Sequence, residues 1–149
     1  MIPFFKHSLI KNKNYIKKTL ASSYLTSGPV CEKAERLLKI KFKKKYAILT
    51  NSWTNGLITI LLSLKLKPDD EIIIPACTFV ACANVIEMVG AKVVFADIDP
   101  STKLMDINEC IKKITKKTKV IMPVHLYGNL FQTKNLKKKI RKNIMIIED

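Results

Sequence analysis

Apolar positions along the chain fall into two alternating patterns. Short runs that are almost wholly apolar predict buried strands, and they lie at 46–49, 72–75, 93–96, 120–124 and 144–147. Between these runs, apolar residues recur every three or four positions, as they do on one face of a helix. Wholly apolar strands that alternate with helices are typical of a parallel sheet with helices on both faces. The pattern therefore predicts a single α/β unit.

Residues that favour helix ends support these assignments. Pro29 suits the first turn of a helix, and Thr26 or Ser27 could supply the side chain that caps it. Asp106 is expected to cap a later helix, and Gly90 to end another one. These residues separate the predicted helices from the strands.

The most apolar stretch, 57–64, is too short to cross a membrane. Leu57, Ile60, Leu61 and Leu64 share one helical face, and further apolar residues lie elsewhere, so this helix is expected to be buried. The first residues of the chain carry lysines where a secretory signal would need an apolar core. We therefore expect a cytoplasmic protein without a membrane segment.

The net charge of +15 raises the possibility of a nucleic-acid partner. Of the 27 basic residues, however, only Arg36 and Arg141 are arginine, the residue that reads phosphates and guanine edges with two hydrogen bonds. The lysines are scattered along the chain rather than aligned in a stripe, and their densest runs lie on or next to predicted helix ends, where they suit a solvated surface. Nucleic-acid binding is the less favoured interpretation.

The four cysteines do not form a metal-binding motif. No CxxC pair and no nearby histidine cluster is present, so no metal site is predicted. Cys31, Cys82 and Cys110 occupy apolar helix positions and are expected to be reduced core thiols.

The segments that follow the predicted strands are the candidates for ligand binding, because ligands of parallel sheets lie beyond the carboxyl ends of the strands. "NSWTNG" at 51–56 opens a helix, and its free N–H groups with the hydroxyls of Ser52 and Thr54 could bind a phosphate. An ordinary helix cap is the competing interpretation, and the segment matches neither a GxGxxG motif nor a Walker loop. Phe79 could cover a flat ligand, although such an aromatic is more often a core residue.

Two further strand ends carry polar residues. "PVHLYGN" at 123–129 includes His125 and Tyr127, and a lone histidine there is more often structural than functional. Asp149 follows the last predicted strand. A phosphate site, an aromatic face and a carboxylate together suit pyridoxal 5′-phosphate (PLP), whose ring nitrogen must stay protonated.

The order of these motifs resembles the N-terminal half of the DegT/DnrJ/StrS family of sugar aminotransferases. The matching segments run from "TSGPVCEKAERLL" through "TNSWTNGL" and "VIMPVHLYGN" to "IIED". The resemblance implies an aspartate-aminotransferase-like fold (PLP fold type I). It further implies that 26–149 form the N-terminal part of the large, cofactor-binding domain. Residues 1–25 are polar, and on that ground we expect them to form an irregular N-terminal arm rather than part of the core.

The resemblance also assigns cofactor-binding residues. Trp53 and Thr54 match the phosphate-binding turn, although the family more often has a small residue at the position of Trp53. Phe79 matches the aromatic that stacks on the pyridine ring, and Asp149 matches the aspartate that pairs with the ring nitrogen. The family lysine that forms the Schiff base lies beyond the position of Asp149, so the 149 residues alone are expected to be inactive, and poorly soluble because of exposed sheet edges.

The activity implied for the family is transfer of an amino group from glutamate to a keto-sugar nucleotide by a homodimer. One alternative is a dehydratase of keto-deoxysugars from the same family. Another is a non-catalytic basic remnant that binds nucleic acid or anionic surfaces.

Overall fold

The computed structural model describes residues 13–149. The chain divides into two compact units, Met1–Leu49 (unit 1) and Thr50–Asp149 (unit 2). Within the described part of unit 1, helix α1 spans Lys13–Leu20 and helix α2 spans Pro29–Phe42. The irregular structure expected at 1–25 is therefore wrong for the residues of α1, whereas 21–25 form no helix or strand. Residues 1–12 lie outside the described part of the chain.

Helix α2 begins where the sequence predicts, but its cap differs. Pro29 occupies the first turn, whereas the N-cap is Gly28 and no side chain caps the helix. A Cβ at position 28 would lie 2.7 Å from the Cβ of Tyr24, so this close approach requires glycine. The prediction that Thr26 or Ser27 caps α2 is wrong.

The run at 46–49 does not form a strand. Tyr46 and Ile48 are 71% and 79% exposed, and the N–H of Leu49 donates to the carboxylate Oε1 of Glu35 at 2.9 Å. A strand needs neighbouring backbone to complete its hydrogen bonds, and no described strand pairs with this segment. An apolar run alone does not supply that partner.

Unit 2 contains the sheet, with strands β1 (Glu71–Pro75), β2 (Lys92–Ala96), β3 (Thr118–Ile121) and β4 (Met145–Ile146). The strand order is β2-β1-β3-β4, and all neighbours are parallel. In the register, Ile73 lies opposite Val94 of β2 and Ile121 of β3. The predicted parallel α/β fold is confirmed, with four paired strands in the described residues where the sequence predicted five.

Helices cover both faces of this sheet: α3 (Trp53–Ser63), α4 (Ala81–Met88), α5 (Ile107–Lys112) and α6 (Thr133–Lys139). Successive strand residues point to opposite faces. Ile72 and Ile74 accordingly pack in one cluster with α3 and α4, whereas Ile73 packs in the other with α5 and α6. Every residue of β1 is buried, as expected for the centre of a sheet covered on both sides.

Two helices of unit 2 begin or end at the residues that the sequence predicts. The carboxylate Oδ1 of Asp106 accepts from the N–H groups of Asn108 at 2.7 Å and Glu109 at 3.0 Å, and so caps α5. Gly90 follows α4 with a φ of 79°, which glycine adopts without strain. Both predicted helix ends are confirmed.

Helix α3 is buried along one stripe only. Leu57 and Leu61 are buried in the first cluster, whereas Ile60 and Leu62 are exposed. The expectation that Ile60 shares the buried face is wrong, because a single sheet face covers only part of a helix circumference.

Two of the predicted core thiols are confirmed. Cys82 and Cys110 are buried, one in each cluster, and all four cysteines are free. The prediction that Cys31 is a core thiol is wrong, because it is only partly buried on a helix without buried residues. In the part of the chain that the structure describes, no helix has the length and apolar character to cross a membrane.

Candidate cofactor site at the carboxyl edge of the sheet

The strands extend at their carboxyl ends beyond their assigned limits. The N–H of Met122 donates to the carbonyl of Ile73 at 2.8 Å, and the N–H of Ile147 donates to the carbonyl of Ile121 at 3.1 Å. The segments after β1, β3 and β4 consequently emerge at the same edge. This edge carries most of the candidate residues that the sequence predicts.

Asp149 is fixed in this edge by its backbone. Its N–H donates to the carbonyl of Pro123 at 3.0 Å, and its carbonyl accepts from the N–H of His125 at 2.8 Å. Its carboxylate Oδ2 lies 3.7 Å from the sulfur of Cys82, near the start of α4. The last residue of the chain is thereby brought to the segment that follows β1.

Phe79 lies in that same segment. Its carbonyl accepts from the N–H of Cys82 at 3.1 Å, so it is one turn before the thiol that contacts Asp149. The residue is 73% exposed. The alternative that Phe79 is a core residue is therefore wrong, and an exposed aromatic face is present at this edge.

The start of α3 provides hydrogen-bond donors. Ser52 is the N-cap, and its hydroxyl accepts from the N–H of Asn55 at 3.1 Å. The first N–H groups of a helix have no partner within it, so the cap leaves those of Trp53 and Thr54 available for an anion. Trp53 is exposed and Thr54 half-buried. The two interpretations of this segment are compatible, since the cap uses one donor and not the others.

Gly56 keeps this helix start compact. A Cβ at position 56 would lie 3.1 Å from the hydroxyl oxygen of Thr50, a tight contact that would require this hydroxyl to shift by a few tenths of an ångström. The hydroxyl of Thr50 in turn donates to the carbonyl of Ser52 at 2.9 Å.

Some of the candidate cofactor-binding residues are joined by hydrogen bonds, whereas others are related only through packing in the apolar core. Asp149 and the segment of Phe79 meet through Cys82, whereas α3 reaches the same edge through Leu57, which packs in one cluster with Cys82 and Val124. Among the described residues, no hydrogen bond joins Trp53 or Thr54 to Phe79 or Asp149.

His125 has a structural role. Its Nδ1 accepts from the N–H of Phe131 at 3.0 Å, so the ring proton of the neutral form lies on Nε2, which is 3.1 Å from the carboxylate Oε2 of Glu148. Both ring nitrogens are thus occupied. The favoured interpretation of this histidine as structural is supported.

The adjoining turn has an unusual backbone. Tyr127 adopts a φ of 55°, which is uncommon for a residue other than glycine, and its side chain is exposed. Gly128 follows with a φ of 84°.

Sequence reasoning placed Cys82 in the core but missed its contact with Asp149. Thr78, also missed, lies 3.3 Å from the same sulfur through its hydroxyl. Burial raises the pKa of the Cys82 thiol, the hydrogen bond with Thr78 opposes this, and the charge of Asp149 raises the pKa further. Cys82 therefore remains a protonated thiol at neutral pH.

The chain matches a known family over most of its length. The sequence model of the "DegT/DnrJ/EryC1/StrS aminotransferase family" matches residues 9–149. Similar proteins include the 3-oxo-glucose-6-phosphate:glutamate aminotransferase of Bacillus subtilis, at 36% identity over 91% of this chain and 31% of that protein. The GDP-perosamine synthase of Escherichia coli O157:H7 is 34% identical over 99% of this chain and 42% of its own length.

Solved structures agree with this match. The structure of NtdA from Bacillus subtilis with bound cofactor PMP has a TM-score of 0.85 and 35% identity, over 91% of this chain and 31% of that one. The GDP-4-keto-6-deoxy-D-mannose-3-dehydratase of E. coli with bound hydrated PLP has a TM-score of 0.91 and 28% identity, over 99% of this chain and 40% of that one. The resemblance drawn from the motifs is confirmed, as is the PLP fold type I.

Proposed function

Because the chain belongs to the DegT/DnrJ/EryC1/StrS aminotransferase family, we propose that it binds PLP and serves the transfer of an amino group from glutamate to a keto-sugar nucleotide. The names of the relatives support this, since one is a glutamate aminotransferase of a keto-sugar phosphate and another makes a GDP-linked sugar. The chain spans 31% and 42% of the length of these two relatives. The activity is therefore proposed for a protein of their length.

The residues at the carboxyl edge suit the cofactor chemically. The N–H groups of Trp53 and Thr54 would bind its phosphate at the positive end of α3. Phe79 would lie against the ring, and the carboxylate of Asp149 would hold the proton on the ring nitrogen. When bound, the cofactor supplies an electron sink for the carbon that exchanges its amino group.

The observation that carries the proposal is the position of Asp149. Backbone hydrogen bonds to Pro123 and His125 fix it at the edge where β1, β3 and β4 end. A carboxylate accepts hydrogen bonds only, so in this place it favours a protonated ring nitrogen over a neutral one.

Binding of pyridoxamine 5′-phosphate (PMP) to the 149-residue chain tests this without requiring a covalent bond to lysine. Asp149→Asn should weaken PMP binding about 10- to 100-fold, since a charge-assisted hydrogen bond contributes about 1.5–3 kcal/mol. Calorimetric titration measures the affinity, and circular dichroism checks that each variant is folded.

Glu148→Gln is the matched control. It removes the same charge at the neighbouring position, where the side chain contacts His125 and is not assigned to the cofactor. It should change the PMP affinity by less than about twofold. Equal losses in both variants, or no PMP binding by the folded parent chain, would contradict the proposal.

One specific observation supports a second candidate. The E. coli dehydratase matches this chain with a TM-score of 0.91 over 99% of the chain. A PLP-dependent keto-deoxysugar dehydratase would use the same cofactor site. Incubation of the whole protein with a GDP-linked keto-deoxysugar and glutamate distinguishes the two by mass, since one product gains an amino group and the other loses a hydroxyl group.

The remaining expectations stay predictions. They are the arm at 1–25, the large-domain portion at 26–149, the homodimer and the cytoplasmic location.

A further inference from the structure

The sulfur of Cys82 lies between two polar side chains at the carboxyl edge. The hydroxyl of Thr78 is 3.3 Å from it, and the carboxylate Oδ2 of Asp149 is 3.7 Å from it. Thr78 and Cys82 are four residues apart, whereas Cys82 and Asp149 are 67 apart. Three side chains from two segments thus form one hydrogen-bonded row.

The chemistry of the groups sets the direction of these bonds. An ionised carboxylate can only accept, so the S–H of Cys82 donates to Asp149. The thiol has a single proton, and the hydroxyl of Thr78 therefore donates to the sulfur. The row runs from Thr78 through Cys82 to Asp149.

The row is rigid at its centre. Cys82 has no exposed surface and packs in one cluster with Leu57 and Val124. The thiol cannot turn towards solvent without breaking this packing. Asp149 is fixed through its backbone at the other end of the row.

We propose that Cys82 is a positioning residue, whose thiol, held by Thr78, orients the Asp149 carboxylate towards the cofactor ring. The bond engages Oδ2, and we assign Oδ1 to the ring nitrogen. This inference rests on the proposed function, because it presumes a cofactor at Asp149. Cys82 itself does not contact the ring.

A purely structural Cys82 would fill the core without affecting the carboxylate. Infrared spectroscopy separates the two roles in the free chain, because S–H stretching frequencies respond to hydrogen bonding. Asp149→Asn and Thr78→Val should each shift the Cys82 band. The buried Cys110, in the other cluster, provides an unshifted reference within the same molecule. An unchanged Cys82 band in both variants would overturn the inference.

Binding of PMP labelled with ¹⁵N in the ring gives the second readout. Cys82→Ala should lower PMP affinity about 3- to 10-fold, as expected for one hydrogen bond, and should move the ring ¹⁵N shift towards the unprotonated form. Cys82→Ser should restore the shift, because a hydroxyl also donates. Cys110→Ala, the matched control at an equally buried cysteine, should leave the shift unchanged.

The outcomes separate this inference from the proposed function. If Asp149→Asn weakens PMP binding but Cys82→Ala leaves affinity and ring shift unchanged, the proposed function stands and the role of Cys82 fails. If Asp149→Asn has no effect on binding, the proposed function fails. Should Cys82→Ala not fold, Thr78→Val must reproduce the change in ring shift, and a normal shift in that variant overturns the inference.

Discussion

In unit 2, all five residues of strand β1 are buried, whereas in unit 1 the fourteen residues of helix α2 include none that is buried. Both elements are rich in apolar residues. The strand lies between two covered faces of a sheet, while α2 exposes Val30, Leu37 and Ile40. The same kind of residue therefore makes a core in one unit and an exposed apolar surface in the other.

The difference shows what an apolar pattern specifies. Periodicity determines which face of an element is apolar, but burial requires a second surface of matching shape. The described part of unit 1 also exposes Tyr24, Leu25, Phe42 and Ile48. Surfaces of this kind are typical of regions that contact other protein.

The largest expected difference between the two units comes from one substitution made in a helix of each. Leu61 in α3 is 1% exposed and Leu37 in α2 is 57% exposed. Leu61→Ala should lower the free energy of unfolding by about 2–5 kcal/mol through lost contacts and a cavity. Leu37→Ala should lower it by less than about 0.5 kcal/mol. Urea titration of both variants measures this, and equal losses would show that α2 is buried in solution.

A smaller change in the free energy of unfolding is expected when a carboxylate that links two segments of one unit is removed. Glu71 is buried at the start of β1 and accepts from the hydroxyls of Thr115 at 2.5 Å and Thr118 at 3.3 Å. Glu71→Ala should destabilise the fold by about 1.5–3 kcal/mol.

Its counterpart in unit 1 is Glu35, which accepts from the N–H of Leu49 in a half-exposed place. Glu35→Ala should cost less than about 1 kcal/mol, because water can replace the lost partner. A larger loss from Glu35→Ala than from Glu71→Ala in urea titrations would reverse the contrast between the units.

The smallest expected effect is the contribution of a buried thiol to the pH dependence of the unfolding free energy. Burial raises the pKa of Cys110 from 9.0 to about 12. Below pH 9 the Cys110 thiol is neutral in both the folded and the unfolded chain. As the pH rises from 9 towards 12, the thiol ionises in the unfolded chain only, so the free energy of unfolding falls over this range.

Cys110→Ser should flatten that pH dependence of the unfolding free energy. Iodoacetamide should meanwhile modify the partly buried Cys31 of unit 1 well before Cys110, as mass spectrometry of peptides can show. Equal rates at the two cysteines would contradict the burial of Cys110.

Sequence reasoning predicted the parts of the fold that local chemistry determines. Asp106 and Gly90 end helices through their own side-chain and backbone properties, and β1 is apolar throughout because both its faces are covered. The run at 46–49 fails as a strand because pairing depends on distant residues. Helix α1 was missed because its sequence is polar and lysine-rich.

The candidate site was predictable to a similar degree. Phe79 and Asp149 follow strands, and the parallel topology brings their segments to one edge. The contact of Cys82 with Asp149 joins positions 67 residues apart, and a cysteine at an apolar helix position gives no signal of such a contact. Residue type and spacing thus located the edge but not the hydrogen bonds within it.

Amide chemical shifts of the ¹⁵N-labelled chain during a PMP titration test the proposed site most directly. Saturable shifts should concentrate at Trp53, Thr54, Phe79 and Asp149, and the amides of Glu71 and Thr118 at the opposite edge should stay unchanged. Shifts confined to the opposite edge or to unit 1, or none in a folded sample, would contradict a cofactor site at the carboxyl ends of the strands.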